Sequence, residues 1–323
     1  MHRTLVRSIV VLVAILGSTT VDAQNYPERP VRMVIPYPPG GTVDVVARVI
    51  AQNLSEQTGR NFVVDNRAGA NGIVGSDVVA KATPDGYTLL VQASIFVINP
   101  LFLKNVPYDV QKDFTPLANI GSVPLLVTAH PAVPAANLRE FLTLVRANTS
   151  RYAFATSGLG SAGHLSEEMI KRQAGVGGML IVPYKGAGPA LTDVVGGQVS
   201  AMIDPLPSSY PLVKSGRLKP LAVTSAKRVS FMPEVPTVGE SGIPGFDMVS
   251  WYGLWGPKGI SKSVGTMLTA SIAKAARSPL AAARLGDQGF EPAGRTSEAF
   301  ATFIAREIER YAKVVKEANI KAE

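Results

Sequence analysis

Ser161 and His164 lie three residues apart in GLGSAGH, Gly158–His164, which puts a hydroxyl and an imidazole on the first turn of any helix starting there. Such a pair is the minimum for acyl transfer, with serine attacking and histidine taking its proton. The setting argues against it. A nucleophile elbow, Gly-x-Ser-x-Gly, needs glycine where Leu159 stands, and a serine inside a helix start is not on the sharp turn that exposes a nucleophile. Among possible bases outside the leader there are only His164 and His130, and His130 precedes Pro131 in a surface-turn context. A secreted serine hydrolase is therefore kept as the enzyme-class alternative and not as the main reading.

GLGSAGH is one of three glycine-rich turns, the others being PYPPGGTVD (Pro36–Asp44) and PYKGAGPA (Pro183–Ala190). Each follows an apolar, strand-like run and precedes a helix-like one. A helix begins with unpaired N–H groups and the positive end of its macrodipole, so several such ends facing one cleft grip a carboxylate without an arginine. The pattern points to binding before catalysis. Gly158, Gly160 and Gly163 also satisfy the dinucleotide pattern G-x-G-x-x-G, but the next strand ends Val182-Pro183-Tyr184-Lys185, with no acidic residue for a ribose. PPGGTVD lacks the Gly-Lys-Ser/Thr ending of a phosphate loop. With no cysteine, no His-x-x-x-His spacing and no calcium-type acidic loop, neither a cofactor nor a metal is expected. Tyr184, Tyr210 and Tyr252 read as packing or hydrogen-bonding residues rather than ferric ligands. Asp204, between the strand Val199–Ile203 and Pro205, reads equally as a helix cap or as a carboxylate in the cleft. In the cleft it would disfavour a second anion or accept from an ammonium or hydroxyl. Lys185 reads either as a partner for a ligand carboxylate or as a solvated side chain.

The elements that must position these residues alternate as strand and helix, the signature of a parallel sheet with crossover helices. Val31 to Ile35 is a buried strand; Val43, Val46, Ala47, Ile50, Ala51 and Leu54 follow at helical spacing, with Gly59 as the stop and Asp44 and Arg48 one turn apart. Phe62 to Val64 and Tyr87 to Val91 are further strands around a helix from Gly72 to Ala82. Leu117 to Ala129 is a long strand passing between two lobes, and Phe246 to Trp255 is the return. Between them come helix Leu138 to Ala147, strand Tyr152 to Ala155, a helix from Ala162, strand Leu180 to Val182, helix Pro189 to Val195, and strands Val199 to Ile203 and Leu218 to Thr224. Two final helices are read at Val264 to Ala276 and Glu298 to Glu317, and the last carries an apolar stripe through Phe300, Phe303, Ile304, Ile308, Tyr311, Val314 and Val315.

The chain of 323 residues starts with a basic segment (His2, Arg3, Arg7), an apolar run Ile9 to Leu16, and a small-residue exit at Val21-Asp22-Ala23. This is the form of a secretory signal cleaved after Ala23, too short in its apolar run for the roughly 20 residues of a spanning helix. Without cysteine there is no lipid-modified anchor and no disulfide. The remainder is long enough for two cores of about 100 to 200 residues each. The formal charge of +8 is dispersed, with no basic run interleaved with aromatics, so nucleic acid is not an expected partner.

Taken in order along the mature chain, RPVRMVIPYPPGGTVDVVAR, RAGANGIVGSDVVAKATPDGYTLL, TSGLGSAGHL, VPYKGAGPALTDVVGGQVSAMID, GRLKPLAVTSAKR, PEVPTVGESGIPGF and WYGLWGPKG resemble the periplasmic receptors of tripartite tricarboxylate transporters, the Bug or TctC-like family. The resemblance implies a two-lobed α/β fold of the type II periplasmic-binding-protein class, each lobe a mostly parallel sheet flanked by helices and joined by crossing strands. It implies residues 1–23 as signal peptide, 24–124 with 250–323 as lobe 1, and 125–249 as lobe 2. It further implies a monomer in the periplasm, free of a membrane anchor once the signal is cleaved. Such a receptor holds a small carboxylate, uses no cofactor and hands its cargo to integral membrane permease subunits. A sensor presenting ligand to a membrane kinase is the alternative with the same cleft. Transferred to matching positions, the first-lobe site is Tyr37, Pro39, Gly40, Gly41 and Thr42 with Ala70 and Asn71. The second-lobe site is Thr156, Ser157, Gly160, Ser161, His164, Lys185, Gly186 and Ala187, with Asp204 on the floor.

Overall fold

The computed structural model describes residues 26–317; the expected signal segment lies outside the described residues. The first strand, β1 (Val31–Ile35), is nearly all buried and lies between β2 (Phe62–Asn66) and β3 (Thr88–Ala93), both parallel to it. Helix α1 (Thr42–Thr58) covers this sheet through Val46, Ala47, Ile50 and Leu54 at the expected spacing, and stops at Gly59, whose φ of 67° ends the helix in the left-handed region. The expected helix from Gly72 is a short 3-10 turn, Ala70–Gly72, followed by α2 (Ile73–Ala80).

The hinge of the topology is β4 (Phe114–Ala129), sixteen residues without one charged side chain. Its half from Phe114 to Pro124 pairs antiparallel with β9 (Val249–Pro257), and its half from Leu125 to Ala129 pairs antiparallel with β7 (Ala201–Pro205) and β8 (Lys219–Val223). Two parallel sheets are thereby built on one plan. The first lobe runs β2-β1-β3-β9-β4, edged by β10 (Glu291–Arg295); the second runs β6 (Leu180–Pro183), β5 (Ala153–Thr156), β7, β4, β8. In each, an antiparallel member is the strand that crosses from the other lobe, and the edge strand β10 is a second antiparallel member of the first.

Helices follow the strands: α4 (Leu138–Ala147), α5 (Ala162–Gln173) and α6 (Ala187–Val195) in the second lobe, α8 (Lys262–Ala276) on the first. The last helix, α10 (Ser297–Glu317), buries Phe300, Ile304 and Tyr311, and its Phe300 packs on the two tryptophans of β9, 5.2 Å from Trp255 and 6.0 Å from Trp251 between ring centres. Trp251 Nε1 donates to Glu307 across the same seam at 3.0 Å.

Four elements do not show in the periodicity, each for a local reason. Helix α3 (Ile95–Phe102) has Asn99 as its one polar residue and contains Pro100, so it shows no amphipathic helical period. Helices α7 (Leu206–Lys214) and α9 (Pro279–Leu285) are short, and α7 carries Pro207 and Pro211. Strand β10 holds Pro292 and Gly294 and joins β4 with a register break, which an edge position tolerates.

Candidate functional site

Three helix starts meet where the lobes face each other. A cavity of about 70 Å³ is lined by Gly41, Thr42 and Val43 at the head of α1, Ser161, Ala162 and Gly163 at the head of α5, and Gly186 and Ala187 at the head of α6. The sequence folds this way locally because each turn follows a parallel strand whose C-terminal end points at the cleft: β1 leads to Gly41, β5 to Ser161, β6 to Gly186. Ser161 caps α5 by accepting from the His164 amide at 3.0 Å. The amides of Ala162 and Gly163 fall in the first turn, where no intrahelical acceptor exists, and the same holds for the first amides of α1 and α6. Gly163 is required by packing: a Cβ there would stand 2.2 Å from the Ile203 carbonyl oxygen, so glycine lets α5 press its first turn onto β7.

Among the described residues, the wall of this cavity contains no lysine, arginine or histidine. Its two carboxyls differ in state. Burial acts to raise Asp44, but hydrogen bonds from Arg48 (2.9 and 3.0 Å), Asn66 (3.0 Å) and the Gly40 amide (3.2 Å) outweigh it and hold the group below the usual aspartate value. Asp204 is 1% exposed; burial pushes it up to about 7, with the Ser208 hydroxyl acting in the opposite direction. Ser208 donates to Asp204 Oδ2 and receives a hydrogen bond from Thr42 Oγ1 at 2.9 Å, which links the second-lobe floor to α1 of the first lobe. Among the described residues Asp204 Oδ1 has no hydrogen-bond partner. Ser94, Ile95, Ser250 and Tyr252 complete the first-lobe wall, and burial raises the Tyr252 phenol so that it stays neutral.

A second cavity, about 850 Å³, adjoins the first through shared wall residues Tyr37, Pro38 and Ser157. It is lined by Ala70, Asn71, Leu159, Tyr184 and Lys185, together with Leu103, Lys104 and Asn105 from the segment after α3. The lobes touch around it. Asn71, in the left-handed region at φ 57°, donates from Nδ2 to the Leu159 carbonyl at 2.6 Å and to Asn99 Oδ1 at 2.8 Å, while Asn99 Nδ2 donates back to the Asn71 carbonyl at 3.0 Å. Gly186 packs on Pro38, and Gly41 lies against the Ala187 Cβ. These contacts describe a closed arrangement of the cleft.

Of the residues expected from the sequence, Tyr37, Gly41, Thr42, Ser157, Ser161, Gly186, Ala187 and Asp204 line the inner cavity, and Ala70, Asn71 and Lys185 line the outer one. Pro39, Gly40, Thr156, Gly160 and His164 line neither. Gly40 and Gly160 spend their amides on Asp44 Oδ2 and His164 Nδ1, Thr156 Oγ1 sits 3.4 Å from Ser161 Oγ, and the Pro39 carbonyl abuts Gly188. They buttress the turns. His164 is 4% exposed, and burial lowers its imidazole to about 4, so it stays neutral. Its ring accepts from Gly160, and its backbone takes up the Ser161 hydroxyl, so the pair forms a cap and not a nucleophile with its base. Sequence reasoning missed Ser250 and Tyr252, whose strand was recognised but whose facing was not, and Ser94, the cap of a helix it did not recognise. It also missed Ile95, on the unrecognised α3.

A model of the tripartite tricarboxylate transporter family receptor matches residues 46–320. The protein BugT of Bordetella pertussis is 37% identical over 316 residues, spanning 97% of this chain and 97% of its own. Among solved structures, that of an R. palustris protein with adipate superposes with a TM-score of 0.89 at 37% identity, covering 92% of this chain and all of that one. MatC from Rhodopseudomonas palustris with bound malate gives 0.84 at 32%, covering 90% and 100%. Family model, full-length relatives and shared fold agree that this chain belongs to the tripartite tricarboxylate transporter receptor family of periplasmic solute-binding proteins.

Proposed function

We propose that this protein captures a small organic carboxylate between its lobes in the periplasm, after removal of the segment ending at Ala23, and delivers it unchanged to the membrane subunits of a tripartite tricarboxylate-type transporter. The lobes are 24–124 with 250–323, and 125–249, a division supported by the switch of β4 from β9 to β7 after Pro124. The single observation that carries the reading is the meeting of three helix starts at one cavity that has no cationic side chain in its wall. An anion placed there is held by backbone donors and helix dipoles, which suits carboxylates of many shapes and leaves specificity to the far end.

Size supports a division of labour. At roughly 10 to 15 Å³ per water the inner cavity has room for about five waters, or for one carboxylate with its neighbouring atoms. The remainder of a longer acid extends past Tyr37 and Ser157 into the outer cavity, beside Lys185. Adipate and malate in the related structures are acids of this kind. Solute bridging both lobes adds contacts that an open form lacks and so shifts the population to the closed shape that a permease recognises.

A thermal-shift screen of mono-, di- and tricarboxylates tests the reading. An acid at 100 times its dissociation constant adds about 2.7 kcal/mol of stability. No stabilisation by any acid, or turnover of an ester that Ser161→Ala abolishes, would overturn it.

A further inference from the structure

We infer that Asp204 meets the solute carboxylate as a neutral carboxylic acid, donating a hydrogen bond from its Oδ1 side, so that each acid bound is accompanied by one proton on Asp204. The inference rests on the carboxylate-receptor reading above and assigns that site a proton-linked specificity. Three observations carry it. Asp204 is buried and lines the inner cavity, where the solute carboxylate is placed. Its Oδ2 is committed to Ser208, which is committed in turn to Thr42, whereas Oδ1 has no partner among the described residues. Among the described residues, no cationic side chain lines that cavity to hold two anions together.

The groups facing Asp204 give no reason for it to remain charged beside an anion. From α5 come Glu167, fully buried and raised well above the usual glutamate value by desolvation, and the neutral His164; Glu168 and Lys171 on the same helix pair with each other at 3.3 Å. From α1 comes Asp44, an anion already matched by Arg48. Strand β9 contributes the neutral phenol of Tyr252, α7 contributes Ser208, and β4 has no charged residue. On α6, Asp193 is engaged by Tyr184 at 2.7 Å. Two carboxylates in one desolvated site cannot both stay ionised. One proton, taken from solvent and held by Asp204, converts the repulsion into a charge-assisted O–H···O bond without any covalent change. The Asp204 value near 7 places this switch inside the physiological range.

The consequence is a signed pH dependence. The binding-competent acid form of Asp204 is nearly complete at about pH 6 and a few per cent at about pH 8.5, so carboxylates weaken about thirtyfold across that interval. Solutes recognised through an ammonium group would instead use the Asp204 anion and tighten over the same interval.

The full mature protein is titrated at both pH values with acetate, malate and adipate and, in parallel, with glycine and glutamate, following stabilisation against heat. Calorimetry in phosphate and in Tris buffers then counts protons exchanged with the acids that bind. The expected result is tighter carboxylate binding at low pH, proton uptake near neutrality, and loss of the pH dependence in Asp204→Asn, which keeps the shape and a donor but cannot titrate. Should Asp204→Asn not fold, the two-buffer calorimetry of the unaltered protein decides alone. Carboxylate binding of equal strength at both pH values, with no proton uptake, overturns this inference while the receptor reading stands. Binding confined to the ammonium-bearing solutes and strengthening with pH also overturns it. Silence from every probe at both pH values removes the receptor reading and this inference together.

Discussion

Replacing Gly163 by alanine tests whether close docking of α5 sets the anion site. A Cβ built at Gly163 would lie 2.2 Å from the Ile203 carbonyl oxygen, and contacts below 3.0 Å are essentially never made, so the first turn of α5 must lift about 1 Å from β7. Two effects compete. Glycine to alanine in a helix gains up to about 1 kcal/mol from propensity, whereas forcing a group into a packed interior costs about 1–3 kcal/mol. Here the obstacle is backbone and cannot swing aside, so the cost wins and Gly163→Ala melts several degrees below the parent. The same displacement carries the amides of Ala162 and Gly163 away from the inner cavity, and each charge-assisted bond weakened is worth about 1.5–3 kcal/mol, enough to lower affinity for an acid found in the screen at least tenfold. Thermal unfolding and calorimetry are the assays. Gly177→Ala is the control, since that glycine has open space around it and no left-handed φ. If Gly163→Ala melts at or above the parent and binds acids as well, the idea that α5 is held in place by this close approach is wrong.

Three further outcomes follow from the geometry. Asn71→Gly keeps the left-handed backbone but removes the hydrogen bonds to Leu159 and Asn99, so the closed form loses about 1–2 kcal/mol and calorimetric affinity drops about 5- to 30-fold; unchanged affinity would show that this bridge does not hold the lobes. Asp44→Asn removes the anion that Arg48, Asn66 and Gly40 serve and costs on the order of 1 kcal/mol at neutral pH. Because the native Asp44 value is depressed, its contribution is complete above the unfolded aspartate value and is lost as pH falls through the native one, so unfolding curves of parent and variant should converge only in acid. Phe300→Ala empties the space beneath α10 against Trp251 and Trp255 and should cost about 3–5 kcal/mol by chemical denaturation, with a loss under 1 kcal/mol showing that α10 repacks.

Much of this molecule can be read from local pattern. The strands Val31 to Ile35 and Phe62 to Val64, the helix closed by Gly59 and the helix Leu138 to Ala147 are visible because burial repeats at a period of two or 3.6 residues within a few turns. So are the three glycine-rich turns, since a phosphate- or carboxylate-sized gap before a helix demands small residues in sequence. What escapes is whatever depends on who lies opposite. Helix α3, with Asn99 as its one polar residue, has no polar face to give it a helical period, and of the proline-bearing elements α7 packs on the sheet while β10 pairs at its edge.

The site divides along the same line. Residue types alone single out the turns Pro36 to Asp44, Gly158 to His164 and Pro183 to Ala190 as candidates for holding an anion, and Ser157 enters only through the family resemblance. Folding decides that His164 is a buttress, that Asn71 bridges the lobes, and that Ser94, Ser250 and Tyr252 face the cavity. Folding also decides the state of Asp204, which in sequence reads as a helix cap or a cleft carboxylate with nothing to set its charge. Its chemistry comes from the removal of water and the distance to any cation, and those are properties of the surroundings that elements far apart in the chain create only by packing together.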